Sequence, residues 1–538
     1  MKKCFLKVLV VLSVLVLVSC NNELSMKPEN IDKISFSEEI VLGEQRENPF
    51  LLSKARSVDS TVEANYVYFR IRTNVFENVE KIEDILGDLN TVPLDFEVKD
   101  GGCDNPLNMG TEEASPWFYS MLPIETFNEV EPFGEIEIIN EMYISEEDLA
   151  KFSEVDTNSK NEDARFLWVN YQKAKPSGYV YYYDEVKNCY CPLSGVKVTV
   201  SQWCHVKSTY TDENGYYNIG TNFTSCWQNT ANVKITFETN KDVVYPEWSV
   251  VKASYNAGDK KVKNLSKNNI YLAKTTKQNN FGILTNAANM YRKFAKADGI
   301  IEPQNLKFWA GSGMVGGLTL MQDVVTADLA SIGSAIGSIG GTPWAVAGAV
   351  AGGLIGSYFP DIMISTRAEN MTQTESITEY VFHEMAHASH YTGIGLGNVT
   401  YWNLEYIKML GGWVEVLANG SSPLQDCYNG GKSKQVCLIE SWGYFYGYYL
   451  MNKYYGGYDT EVPYNYLLNN SSVNLPFFYY DTFYDVSKII SIKKIFEPYK
   501  YFSVQSVSSW YSKLVELNKD IDSSGEIKKA FKEKGIAL

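Results

Sequence analysis

The sequence predicts a multidomain α+β protein in which a small β-sandwich is followed by a mainly helical domain. Three observations carry this prediction. The chain has 538 residues, too many for one ordinary core, so two or three domains are expected. Between Pro176 and Ala273 short alternating runs are separated by turn residues, the pattern of a sandwich. From Phe281 onward the apolar spacing becomes helical, and within that part lies a helix with a start signal and a stop signal of its own.

The chain opens with Met1-Lys2-Lys3, followed by an apolar run from Val8 to Val18 broken only by Ser13 and then by Leu17-Val18-Ser19-Cys20. A basic start and a short apolar core make residues 1–19 a signal peptide rather than a spanning helix. Leu17–Cys20 resembles a bacterial lipobox. That resemblance implies a lipidated Cys20 as the mature first residue and a lipid anchor in a bacterial cell envelope, with the outer membrane as the expected site. Without residues 1–19 the chain carries 45 basic and 64 acidic residues, a balance that argues against nucleic acid as a partner. Residues 20–60 are polar with little apolar periodicity and are expected to be a tether. Residues 61–175 mix strand-like runs, Tyr66–Ile71 and Glu135–Ile139, with acidic loops; this reads as an α+β region of unknown role.

Seven cysteines remain beyond Cys20: Cys103, Cys189, Cys191, Cys204, Cys226, Cys427 and Cys437. None forms a C-x-x-C pair, so no structural zinc site is indicated. Disulfides are permitted outside the cytoplasm; one bridge is expected between Cys427 and Cys437 and up to two among the four cysteines from 189 to 226, with Cys103 left over.

The sandwich is expected over residues 176–275, with strands at Gly178–Tyr183, Val196–Val200, Tyr216–Ile219 and Val233–Phe237. Pro192-Leu-Ser-Gly-Val-Lys-Val-Thr-Val200 and the later Thr211-Asp-Glu-Asn-Gly215 resemble a carboxypeptidase-regulatory or transthyretin-like module. In that family the T-D-x-N-G turn joins two strands, and such modules act as folding partners or spacers. His205, beside Cys204, is read as a packed or surface histidine.

Residues 276–538 form the expected helical domain. Between Asp328 and Asp361 no residue is charged, and Gly and Ala recur. Gly340-Gly-Thr-Pro343 cuts this run into pieces shorter than the roughly 20 residues that a span needs, so a packed helical hairpin is preferred, with membrane contact by residues 329–359 as the alternative. Pro360–Ser365 reads as a short strand. Segments near Val486–Phe496 and Ile527–Gly535 read as amphipathic helices that close the domain.

The most informative stretch runs from Ser376 to Gly393. Ser376 and Glu379 have capping-box spacing and Gly393 supplies a stop. Between them is His383-Glu384-Met-Ala-His387. A helix advances about 100° and 1.5 Å per residue, so His383 and His387 share one face and can reach one ion, while Glu384 is turned away from them and suits a general base acting on metal-held water. The chain has four histidines and three lie in these eight residues, which argues against chance. His390 lies about 10 Å along the axis from His383, too far to share an ion held at about 2 Å, and is read as a packed or supporting residue.

A catalytic zinc needs a third protein ligand and an open position. The H-x-x-G-x-x-H continuation is absent, because His390 and Gly393 stand where Gly and His would be required. A downstream carboxylate is needed instead. Glu415 and Glu440 both read as helical with a small residue three positions on, and these residues alone leave both in place. The motif at His383–His387, with Glu440-Ser-Trp442-Gly443-Tyr444 further on, resembles gluzincin metallopeptidases of the lipoprotein class found in Bacteroidetes. The resemblance implies a zincin-like catalytic domain, Zn2+ as cofactor, Glu440 rather than Glu415 as third ligand, and a peptide, protein or glycoprotein substrate. Gly443 and Gly447 would let the ligand helix lie close to the histidine helix. One of Tyr444, Tyr446, Tyr448 and Tyr449 could donate to an oxyanion. The expectation is therefore an envelope-anchored zinc peptidase; the rivals are a surface-binding or adhesin lipoprotein that keeps the scaffold without turnover, and a membrane-acting protein.

Overall fold

A computed structural model describes residues 40–73, 75–103, 116–152, 172–246, 249, 251–312, 317–319, 321, 360–368, 371–395, 434–456, 478–533 and 538. The chain is of mixed α+β type and divides into two compact units, one comprising residues 31–184 and 188–285, the other formed mainly by residues 286–538. Cys20, Cys427, Glu415 and the charge-free run 329–359 lie outside the described residues, and the expectations made for them stay there. Among the described residues no helix is long and apolar enough to cross a membrane.

In the first unit Tyr66–Arg72 is the middle strand of an antiparallel sheet, between Phe118–Pro123 and Glu135–Met142. The stretch expected to be a tether as far as residue 60 belongs to the fold from Val41 onward. Val41–Gln45 pairs with Phe96–Asp100 and Leu52–Val58 is helical. The reason is the short apolar run Phe50-Leu51-Leu52, whose Phe50 joins a core cluster with Tyr68, Met121, Met142, Ile144 and Trp203.

Two sheets follow in the same unit. The first runs His205–Tyr210, Lys197–Gln202, Thr230–Thr236, Ser254–Lys261 and Gly102–Cys103; the second runs Tyr216–Asn218, Ser177–Asp184 and Ile270–Tyr271, with Cys189–Pro192 also paired to Ser177–Asp184. Cross-strand neighbours Val198 with Ile235 and Val200 with Val233 are fully buried, as are Val180 and Tyr182 of the other sheet, which is the alternation that the sequence pattern required. The Thr211–Gly215 stretch is the turn between His205–Tyr210 and Tyr216–Asn218. The Asp212 carboxylate accepts from the amides of Asn214 and Tyr216 at 2.8 and 2.9 Å, and Gly215 takes φ 74°, which a side chain would strain. No disulfide forms among the described residues: Cys103, Cys189, Cys191, Cys204 and Cys226 are all thiols, which corrects the expected bridges in the 189–226 group. The closest pair, Cys189 and Cys191, stands two apart on one strand with its sulfurs at 3.7 Å, well beyond the roughly 2 Å of a bond.

The second unit contains most of the helix Lys277–Asp298 (α1), the strands Leu306–Gly311 (β1), Gly317–Thr319 (β2) and Ile362–Ser365 (β3), and the helices Gln373–Ile394 (α2) and Lys434–Tyr455 (α3). β3 runs parallel to β1 and antiparallel to β2. Helices Phe478–Ser487 (α4), Ile492–Phe496 (α5), Val507–Leu517 (α6) and Glu526–Glu533 (α7) follow. Val486–Phe496 is thus not one helix. The chain turns after α4 and restarts at Ser491, the residue before α5. An aromatic core joins these pieces: Trp442 stacks on Tyr446 at 4.9 Å and lies beside Phe496 and Tyr499, while Phe483 packs on Trp510 and Phe531.

His205 is packed, with its ring 4.4 Å from that of Phe223. Burial, reinforced by the charge of Lys207, pushes its imidazole down to about 4. The unfolded chain therefore binds the extra proton first. The stability His205 contributes is complete above about pH 6.5 and is lost as the pH falls towards 4, by about 3 kcal/mol. His205→Phe, which keeps a ring against Phe223, is expected to flatten the urea-midpoint profile between pH 4 and 6.5; an unchanged profile would refute this account.

Candidate metal centre

Helix α2 begins one turn earlier than the S-x-x-E signal suggested. Thr372 is its N-cap and forms a capping box with Glu375, and the helix runs through Gly393 to a cap at Gly395 with φ 95°. Thr372-Gln-Thr-Glu375 has the same spacing as Ser376–Glu379, and it prevails because Glu379 is used elsewhere: its carboxyl is buried, held up in pKa by that burial and hydrogen-bonded by Tyr448. Gly393 does not end the helix; a Cβ there would meet Phe496 at 3.3 Å. From Thr374 to Tyr391 nearly every residue of α2 is buried, so the motif sits inside the unit rather than on its surface.

His383 and His387 are each 5 % exposed and their Nε2 atoms lie 3.0 Å apart. Glu440 reaches them from α3: its Oε2 is 3.3 Å from His383 Nε2 and 3.6 Å from His387 Nε2. This approach depends on Gly443. A Cβ on that residue would lie 2.7 Å from the His387 ring and 3.0 Å from that of His383, so only a bare backbone fits between the histidines and α3. Gly447 passes His383 backbone atoms at 3.3 Å by the same measure. Trp442 fixes the register of the two helices, because its Nε1 donates to the Ala386 carbonyl at 3.0 Å.

Three lone-pair atoms thus stand 3.0 to 3.6 Å from one another. Two neutral imidazole nitrogens and a carboxylate oxygen repel one another unless a cation lies between them. Glu440 Oε2 is buried and makes no hydrogen bond of good geometry. The donor set fits a metal: four ligands tetrahedrally placed at about 2.0–2.1 Å stand about 3.3–3.4 Å apart. The electrostatics agree. Burial by itself would lower the pKa of His383, but the adjacent carboxylates of Glu440, Glu384 and Glu379 raise it. Glu440 is held down to about 2, because the two imidazoles outweigh the burial that opposes ionisation.

Glu384 is 1 % exposed, with Oε1 4.0 Å from His383 Nε2. That is longer than a tetrahedral edge. His383, Glu384 and His387 bring one ligand atom each within 4.8 Å of one another. This buried His-Glu-His group could hold a metal ion. No family model matches the sequence, and no curated protein or solved structure is significantly similar to the chain.

Two residues beside Glu384 carried no signal in the sequence. Thr319 Oγ1 lies 2.7 Å from Glu384 Oε2 and 2.8 Å from its backbone carbonyl, and a Cβ on Gly317 would sit 2.6 Å from Glu384 Cγ. Both are on β2, far upstream of the motif. Pro360–Ser365, read from the sequence as a short strand, is β3; it has neighbours on both sides, and β2 lies at an edge of the sheet among the described residues. His390 is packed: its ring lies 5.1 Å from that of Tyr499, and burial followed by the His387 charge pushes it down to about 3. Of the four tyrosines, Tyr446 bonds Asp298 at 3.1 Å, Tyr448 serves Glu379 and Tyr449 interacts with Lys453, whereas the Tyr444 ring rests on His383 at 4.3 Å.

Gly443→Ala is expected to reduce bound divalent metal, measured by elemental analysis, to well below one ion per chain, with an overpacking cost of about 1–3 kcal/mol. Gly447→Ala, with its looser contact, is expected to retain the ion. Equal metal content in both variants would show that the helix approach does not build the centre.

Proposed function

We propose that the protein is a zinc-dependent peptidase, anchored in a bacterial envelope through Cys20, in which His383, His387 and Glu440 hold the ion. The observation that carries this reading is the convergence of two buried imidazoles and the Glu440 carboxylate beside a further carboxylate, Glu384, whose Oε1 stands 4.0 Å from His383 Nε2. A structural ion has no use for that extra carboxylate. A zinc ion held there would supply a Lewis acid and an acidified water.

The chain's own groups define the remaining roles. Glu384 takes the proton from the attacking water and carries it to the leaving amine. Thr319 positions that carboxylate by donating to Oε2, which leaves Oε1 directed towards the histidines. Gly317 leaves room for it. Among the described residues the outer edge of β2 pairs with no strand, so it would offer backbone groups to an extended peptide, as strand addition requires. Tyr444, resting on His383, is the tyrosine best placed to face a bound substrate.

Elemental analysis run alongside casein or peptide-library digestion tests this reading. One zinc per chain in the wild type, its loss in Glu440→Ala, and full metal content without cleavage in Glu384→Gln are the expected results. Absence of zinc from the wild type, or cleavage that survives in Glu384→Gln, would overturn it. Thr319→Val is expected to lower kcat by about 10-fold or more through loss of one hydrogen bond to a charged group, with zinc content and KM little changed. A change in KM alone would assign Thr319 to substrate binding instead.

A further inference from the structure

The outer face of the Ser177–Asp184 sheet is paved with tyrosine. Strand alternation and register place Ser177, Tyr179, Tyr181 and Tyr183 on one side of the central strand, with Tyr216 and Asn218, Tyr271, and Tyr190 and Pro192 beside them on the neighbouring strands. The six rings form one continuous chain. Tyr216 meets Tyr179 at 5.1 Å, Tyr179 stacks on Tyr181 at 5.9 Å, Tyr181 stacks on Tyr271 at 5.1 Å, Tyr271 meets Tyr190 at 5.1 Å and Tyr190 meets Tyr183 at 5.3 Å.

This surface is open to solvent: Tyr179, Tyr190 and Tyr271 are 38 %, 44 % and 49 % exposed. A solvated sheet face ordinarily alternates in polar residues, and the other sheet of the same unit carries the exposed Lys207 and Lys261 on its strands. None of the nine positions on the tyrosine face is charged, in a chain of net charge −16. None is an aliphatic anchor of the Leu, Ile or Met kind, and none is an arginine, the residues that with aromatics make the centre of a protein interface.

The hydroxyls add a second observation. Tyr183 donates to Asn188 at 2.6 Å, whereas the hydroxyls of Tyr179, Tyr181, Tyr190, Tyr216 and Tyr271 bond to no group among the described residues. Tyr181 stacks with both Tyr179 and Tyr271, which orders the three rings as one group. The face is therefore broad and has no charged residue at its nine strand positions, and the Lys274 ammonium flanks it at one end, 5.1 Å from the Tyr183 ring. Elsewhere apolar ring surface is set between hydroxyls that both donate and accept.

We propose that this face binds a neutral glycan chain. A sugar polymer matches it on every count. Its C–H faces cover the ring surface, its hydroxyls pair with the phenols, its lack of charge matches the nine uncharged strand positions, and its length uses a broad face where a small molecule would need a pocket. The site lies in the unit that does not contain the candidate metal centre and stands whether or not that centre cleaves peptides.

The test is native affinity electrophoresis of the full chain in gels containing galactomannan, hydroxyethyl cellulose, soluble starch or desialylated mucin, with polygalacturonate as the charged control. Retardation by at least one neutral polymer and not by polygalacturonate is expected. The Tyr190→Ala/Tyr271→Ala pair is expected to weaken that retardation at least about 10-fold with unchanged circular dichroism. Should the alanine pair fail to fold, Tyr190→Phe/Tyr271→Phe, which keeps both rings and removes two hydroxyls, is expected to weaken it at least about threefold. Retardation by no neutral polymer, equal retardation by polygalacturonate, or retardation unchanged in the folded variants would overturn the proposal. So would sedimentation showing a self-associated species that the same substitutions disperse, because a second copy would then be the occupant.

Discussion

The second unit depends on how closely α2 and α3 approach at Gly443. The two imidazoles project from one face of α2, and a carboxylate meets them only if the facing backbone comes within contact distance of their rings. Any side chain at that position would hold the helices apart and separate Glu440 from the histidines. The centre is therefore defined by an atom that is missing as much as by those that are present, and the Trp442 bond to the Ala386 carbonyl fixes the sliding coordinate that Gly443 leaves open.

The arrangement is electrostatically costly without a cation. Three lone-pair groups, two of them nearly fully buried, crowd one point while Glu384 and Glu379 add further negative charge nearby. The raised pKa of His383 and the depressed pKa of Glu440 are two expressions of the same field: the region attracts positive charge, either a proton or a metal ion. Polar contacts on other sides of α2 hold it rigid under this load. Tyr291 bonds Ser389 at 2.7 Å, and Thr319 anchors the Glu384 carboxylate at 2.7 Å. In the proposed peptidase, preorganisation of this kind would spare the reacting groups from being gathered at each cycle.

Much of the fold was legible where periodicity was strong. Tyr66–Arg72, Glu135–Met142 and the strands expected between Gly178 and Phe237 fell where alternation put them, and α2 and α3 cover the segments around His383 and Glu440 read as helical. The misreadings share a cause: local signals were ambiguous and tertiary contacts chose between them. Thr372–Glu375 and Ser376–Glu379 offered the same capping pattern, and the burial of Glu379 beside Tyr448 decided for the first. The segment from Val41 to Val58 looks like a tether because it is polar, and it is folded because Phe50 finds Tyr68 and Met142. Cysteines 189 to 226 suggested bridges by proximity in sequence, and strand geometry separates them.

The sequence by itself determined the histidine pair and its neighbouring carboxylate, since a spacing of four on a helix leaves one geometric outcome. It also determined that a third donor had to come from elsewhere, because nothing within the helix could supply one. Only the tertiary structure decided what stands beside them: Glu440 against the two imidazoles, Thr319 and Gly317 on a strand far upstream holding Glu384, and β2 rather than β3 at the sheet edge. The tyrosine face has the same origin. Its six residues come from four strands, and only strand register brings their rings together. Helical spacing is a local property that one stretch of chain carries, whereas contact between distant segments depends on packing, which no single stretch encodes.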